Sequence, residues 1–176
     1  MRAKKLLAVL GLGIISSIPL TGSAQGFKWE MTPKYVGEIH AGYKTTTHVS
    51  GYNTYSGMAE LGTLQGVSLN KYLELALGVD AFMMTHYYHG YQLRFGMDVY
   101  FNMRPTYPLA ENLKVFLDLG LGGYFGVRSE PEMGSGFFCQ FGPGVRYRNL
   151  SLSLGLQSFG TGSGSTAFFT KLGLYF

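Results

Sequence analysis

From residue 34 to the last residue, apolar and polar side chains alternate with a period of two. They do so in eight stretches separated by turn-forming residues. A period of two puts successive side chains on opposite faces of a β-strand, so the pattern predicts strands and no amphipathic helix. The third stretch is the cleanest: Leu73, Leu75, Leu77, Val79, Ala81 and Met83 share one face, and Glu74, Ala76, Gly78, Asp80 and Phe82 share the other. The fourth sets Leu93, Phe95, Met97, Val99 and Phe101 against Gln92, Arg94, Gly96, Asp98 and Tyr100. The fifth sets Leu113, Val115, Leu117, Leu119 and Leu121 against Lys114, Phe116, Asp118 and Gly120. The last ends on Phe168, Thr170, Leu172, Leu174 and Phe176, opposite Phe169, Lys171, Gly173 and Tyr175. The second, residues 57–69, is mixed on both faces, and a bulge is expected there. Pro143 in the sixth cannot donate to a ladder and is expected at a bulge or strand end.

Three short connections, at 70–71, 104–112 and 148–149, alternate with four longer polar or glycine-rich ones near 45–56, 85–91, 127–136 and 159–165. Short turns on one side and long loops on the other are the layout of an outer-membrane barrel. The greasy face is almost wholly Leu, Val, Phe, Met and Ala. The other carries Glu38, His40, Glu60, Glu74, Asp80, Arg94, Asp98, Lys114, Asp118, Arg146 and Lys171 among many glycines. An eight-stranded barrel has an interior just wide enough to be filled by side chains. Rows of Leu and Phe would overfill it, so the greasy face is expected to point outward. Aromatic residues gather at the strand ends in two belts: Tyr35, Phe101, Tyr107, Tyr147 and Phe176 at one, and Tyr43, Tyr87, Tyr91, Phe125, Phe137 and Phe168 at the other. The expected fold is therefore all-β: an eight-stranded antiparallel up-and-down transmembrane β-barrel.

The N-terminus changes how charge is read. Arg2, Lys4 and Lys5 precede an apolar run at 6–15 and small residues up to Ala24, the three-part layout of a secretory signal. The expected organisation is a signal peptide, residues 1–24, and a barrel, residues 25–176. Of 14 Lys and Arg, three leave with the signal, so 11 face 10 acids and the remaining chain is near neutral. No basic patch is left for a nucleic acid. Cys139 is alone, so no internal disulfide is expected, and it falls on the lipid face, where a thiol is inert.

The stretches 64–78, 142–147 with 150–155, and the terminal strand resemble the small outer-membrane β-barrel proteins of Gram-negative bacteria, OmpA-barrel- or OmpX-like, of the group described as the porin family. The terminal Phe176 also resembles the C-terminal sorting signal of such barrels, although Leu174 stands where that signal has a second aromatic. The resemblance implies residence in the cell outer membrane. It implies contact with lipopolysaccharide and phospholipid, recognition of the last strand by the barrel-assembly machinery, and a structural or surface-interaction role of a monomer through four extracellular loops. It identifies no extracellular partner and no catalytic, cofactor or metal residue; no enzyme activity is expected.

Two groups of residues have chemical potential. The inward charges Glu38, Glu74, Asp80, Asp98 and Asp118 with Arg94, Lys114, Arg146 and Lys171 are expected to pair and fill the lumen, since an unpaired buried charge is costly; the rival is an ion path. His48, His86 and His89 are placed on neighbouring loops, where a zinc ion or a lipid-modifying chemistry with Ser50, Ser56 or Asp80 is the rival to simple solvation. A soluble periplasmic ligand-binding barrel with the faces reversed is the remaining alternative.

Overall fold

The computed structural model describes residues 32–48, 56–87, 91–128, 135–160 and 165–176. The expected signal peptide, the lead-in with Trp29, and His89 lie outside them. Eight strands follow one another: β1 (Lys34–His48), β2 (Ser56–Asn70), β3 (Leu73–Tyr87), β4 (Tyr91–Ala110), β5 (Leu113–Arg128), β6 (Gly136–Tyr147), β7 (Leu150–Phe159) and β8 (Ser165–Tyr175). Each pairs antiparallel with the next, and β8 pairs antiparallel with β1, so the sheet closes on itself. Closure leaves no unpaired edge, which a strand in hydrocarbon requires.

The closing seam depends on the last residue. Gly37 and Phe176 exchange both backbone hydrogen bonds, each 2.8 Å. The Phe176 ring lies over Gly37, where a Cβ would come within 2.5 Å of Phe176 Cε2. Only a residue without a side chain admits the ring there.

The two faces are as the alternation predicts. Outward residues stay exposed: Leu121 is 66% and Leu77 63% accessible, while inward Asp80 is 0% and Glu38 2%. This inverts a water-soluble domain, in which Asp and Glu are almost never fully buried and the large aliphatics are covered. The soluble periplasmic barrel is thereby overturned: its Leu rows would have to face the lumen. The aromatic belts project outward on both rims, with Tyr35, Tyr107 and Tyr147 at the turn end and Tyr43, Phe125 and Phe137 at the loop end. β7, ten residues long, fits an apolar band of ~25 Å at a tilt near 40°. Cys139 is exposed on this outer face.

Four expectations change. The connection at 104–112 is not a turn. β4 continues to Ala110, and only Glu111 and Asn112 turn the chain. Pro105 is the last β4 partner of β3, opposite Leu73, and Pro108 adjoins a register shift against β5. A proline is tolerated at a ladder end or a bulge as well as in a turn, and sequence does not choose among them. Pro143 sits inside β6, opposite Leu117, at neither a strand end nor a register shift. The β6–β7 ladder simply skips from Phe141–Leu156 to Gly144–Ser153 in unchanged register. The bulge of β2 is confined to its last residues, between Ser68 and Asn70. Finally, the strands reach into the stretches assigned to loops: His48 closes β1, and His86 lies within β3.

Candidate functional site

The inward side chains form layers that follow from strand parity. Nearest the turn end, Arg146 donates to Glu74 through two bonds of 2.7 and 3.0 Å, and the Tyr175 hydroxyl donates to the same carboxylate at 3.1 Å. The Arg146 guanidinium also stacks 3.5 Å from the Tyr175 ring centre. Beside this pair, Arg104 bridges two acids. It donates to Glu38 at 2.6 and 3.2 Å and to Asp118 at 3.2 and 3.1 Å, while Asn102 donates to Asp118 at 2.5 Å. A planar guanidinium with five donors is suited to such double bidentate contact, which a lysine would not give.

The middle layer is a ring of alternating charge. His40 Nε2 lies 3.0 Å from Asp80, and Lys171 Nζ lies 3.0 Å from Asp80 and 3.4 Å from Glu60. Lys44 Nζ lies 2.6 Å from Glu60 and 2.9 Å from Asp98. The Tyr100 hydroxyl donates to Asp80 at 3.2 Å. Gly62 makes this meeting possible. It pairs with His40 on β1 and Asp80 on β3. A Cβ at Gly62 would overlap the Asp80 carboxylate and come within 2.8 Å of His40 Nε2.

Toward the loop end the lumen turns apolar. Tyr100 and Phe138 meet edge-on at 5.7 Å, Phe138 and Phe159 at 6.4 Å, and Tyr124 and Phe159 at 5.5 Å, with Met58 and Phe82 in the same buried cluster. The barrel is therefore stopped twice, by ion pairs below and by aromatic rings above. One void beside Glu38, Glu74 and Arg104 measures about 10 Å³, room for roughly one water.

Most of the inward charges named from sequence are thus brought together, as pairs. The exceptions are informative. Lys114 faces Arg146 across β5 and β6, and no acid pairs with it among the described residues. Asp80 is buried in the middle ring, so it is not a rim partner for the loop histidines. The histidine that meets an acid is His40. The side chains of His48, Ser56 and His86, like the whole of Ser50 and His89, lie outside the described residues; Ser56 and His86 are direct backbone partners on β2 and β3.

Lys44 and Arg104 fall outside the inward set that the alternation predicts, because the alternation ends the first strand at Tyr43 and the fourth at Phe101. A charge count would have found them. Six inward acids, Glu38, Glu60, Glu74, Asp80, Asp98 and Asp118, were set against only four cations, Arg94, Lys114, Arg146 and Lys171. Two cations were missing, and strand parity places Lys44 and Arg104 inside.

His40, Glu60 and Asp80 offer ligand atoms within 4.8 Å of one another, a metal-like grouping. Lys44 and Lys171 already stand 2.6 and 3.0 Å from its carboxylates. Two ammonium groups supply the positive charge a cation would bring, and we derive no metal chemistry from the group.

No family model matches this chain, and no curated protein matches it. Solved structures do. The outer membrane enzyme PagL is 11% identical over 78% of this chain and 98% of its own, with a TM-score of 0.54. Ail, the attachment invasion locus protein of Yersinia pestis, is 12% identical over 81% and 99%, with a TM-score of 0.47. The N-terminal β-barrel domain of Pseudomonas aeruginosa OprF is 17% identical over 80% and 97%, with a TM-score of 0.46. At these identities the likeness speaks for the fold alone. Fold and outward apolar belt together make this chain an integral outer-membrane β-barrel of eight strands.

Proposed function

We propose that this barrel acts as a closed scaffold in the outer membrane and that its biological work is done at its loop-bearing end. The observation that carries this is the doubly stopped lumen: ion pairs such as Arg104 with Glu38 and Asp118, and the Phe138–Phe159–Tyr124 stack above them. Eight strands leave no aqueous path, which appears only in much wider barrels. What remains available to a partner is the four connections between β1 and β2, β3 and β4, β5 and β6, and β7 and β8. In the same proposal, residues 1–24 are removed on export, the last strand with Phe176 is what the assembly machinery recognises, and the mature chain is a monomer surrounded by lipopolysaccharide and phospholipid.

The test has two arms. Purified barrel in planar bilayers is expected to show no stable conductance steps; a reproducible open level would overturn the closed scaffold. An epitope inserted at 49–55 or 129–134 is expected to be reached by antibody on intact cells. An epitope reached only after the outer membrane is permeabilised would put the loops on the wrong side.

A second reading has one observation in its favour. Ser56 and His86 are backbone register partners at the loop end of β2 and β3, in a fold shared with an outer membrane enzyme. Chemistry on membrane lipid at that rim would be lost on His86→Ala. Identical lipid mass spectra from wild type, His86→Ala and deletion strains would dismiss it.

A further inference from the structure

The turn end of the barrel contains a feature that the closed lumen leaves unused. A cavity of about 400 Å³ opens there, lined by Lys114 and Arg146 from β5 and β6, Arg148 from the β6–β7 turn, Glu111 from the β4–β5 turn, and Tyr175 from β8. That volume lies within the range of small-molecule sites.

Its charge is unbalanced. Arg146 is matched by Glu74. Lys114 and Arg148 have no ion pair among the described residues, against the single carboxylate of Glu111. Lys114 is moreover placed directly opposite Arg146 in the β5–β6 register, where like charges repel. Arg146 itself is 2% exposed and gives both of its terminal nitrogens to Glu74.

Arg148 stands at the mouth of the same cavity. Its φ is 52°, the only left-handed non-glycine residue among those described. A two-residue hairpin turn such as the one joining Tyr147 to Leu150 calls for a positive φ at its first central residue, which glycine or asparagine adopts more easily than arginine. Its backbone N–H is fixed to the Asn112 carbonyl at 2.8 Å, and its guanidinium lies over the Tyr147 ring, 5.6 Å from the centre. The turn thus places Arg148 at the mouth of the cavity.

We propose that the periplasmic mouth of the barrel is a binding site for a phosphate group. Lys114 and Arg148, with no ion pair among the described residues and set beside Arg146, suit an oxyanion with several acceptors. The group arrives either on a small periplasmic solute or on a phospholipid headgroup of the inner leaflet; the chemistry at Lys114, Arg146 and Arg148 is the same.

The experiment uses the folded mature barrel in nanodiscs and isothermal titration with inorganic phosphate, with chloride at matched ionic strength as the control. Wild type is expected to bind phosphate saturably. Lys114→Gln and Arg148→Gly should each weaken binding several-fold and together at least tenfold, with unchanged mobility on unboiled gels. Arg148→Gly relieves the strained φ, so it should also raise resistance to urea while it loses phosphate. A merely structural role for Arg148 would not separate the two. Phosphate titration suppressed in phosphatidylcholine discs but not in discs of the neutral, phosphate-free digalactosyldiacylglycerol would identify the headgroup as the source; equal titration in both would identify a soluble one. Either result supports the site. No saturable phosphate binding beyond chloride in either lipid, or full affinity in the double variant, would overturn it.

Discussion

Glu74 and Arg146 show what a single residue carries in this lumen. Both are nearly fully buried, and they are joined by two short hydrogen bonds. Removing one member leaves the other as an uncompensated buried charge. Arg146→Met is therefore expected to lower stability by about 3–5 kcal/mol. The double change Arg146→Met with Glu74→Gln removes both charges and should recover much of that loss. Urea titration followed by gel mobility measures both, and equal losses in the single and double variants would refute the pairing. Gly62 carries a steric role of the same weight. Gly62→Leu would push a side chain into the His40–Asp80 contact and should cost at least about 1–3 kcal/mol. If Gly62→Leu keeps wild-type resistance to urea, the middle ring is not packed as described.

The strands set how depth in the membrane is felt. Leu154 faces outward near the centre of β7, and Tyr147 faces outward at the turn-end rim of β6. Leu154→Arg should destabilise by about 2–4 kcal/mol and Tyr147→Arg by no more than about 1, because a charge near the interface reaches water. Equal effects would mean that the apolar band is not where β7 places it. The seam between β1 and β8 gives a second element-level test. Gly37→Val forces its side chain against the Phe176 ring at the point of closure. The expected result is a larger unfolded fraction on unboiled gels, with Phe176→Ala partly relieving the clash.

At this scale the sequence was informative in a specific way. Parity assigned an inward or outward face to nearly every residue it covered, from Tyr35 to Phe176, because a strand between lipid and lumen has only two environments. It failed at the strand ends. Pro105 and Pro108 looked like a turn and proved to lie at a ladder end and a bulge. Stopping the strand there hid Arg104, the cation with the most hydrogen bonds to acids in the lumen.

At the scale of the barrel, the ionic layers and the aromatic cluster fill the lumen among the described residues. The absence of a stable pore in planar bilayers is expected to persist in Arg146→Met, since the Phe138–Phe159–Tyr124 stack still stops the upper lumen. Conductance in that variant would show that the ion pairs alone hold the lumen shut. The sequence by itself determined the number of strands, the side carrying the short turns, the face that meets lipid, and a charged interior six acids strong. All of these are local properties, set by a period of two and by the cost of a charge in hydrocarbon. The tertiary structure alone decided which acid meets which base. Glu38 finds Arg104 66 residues away, Glu74 finds Arg146 at 72, and Asp80 finds Lys171 at 91. Those pairs form across a closed lumen, so they depend on the stagger of all eight strands together, and no local pattern encodes that.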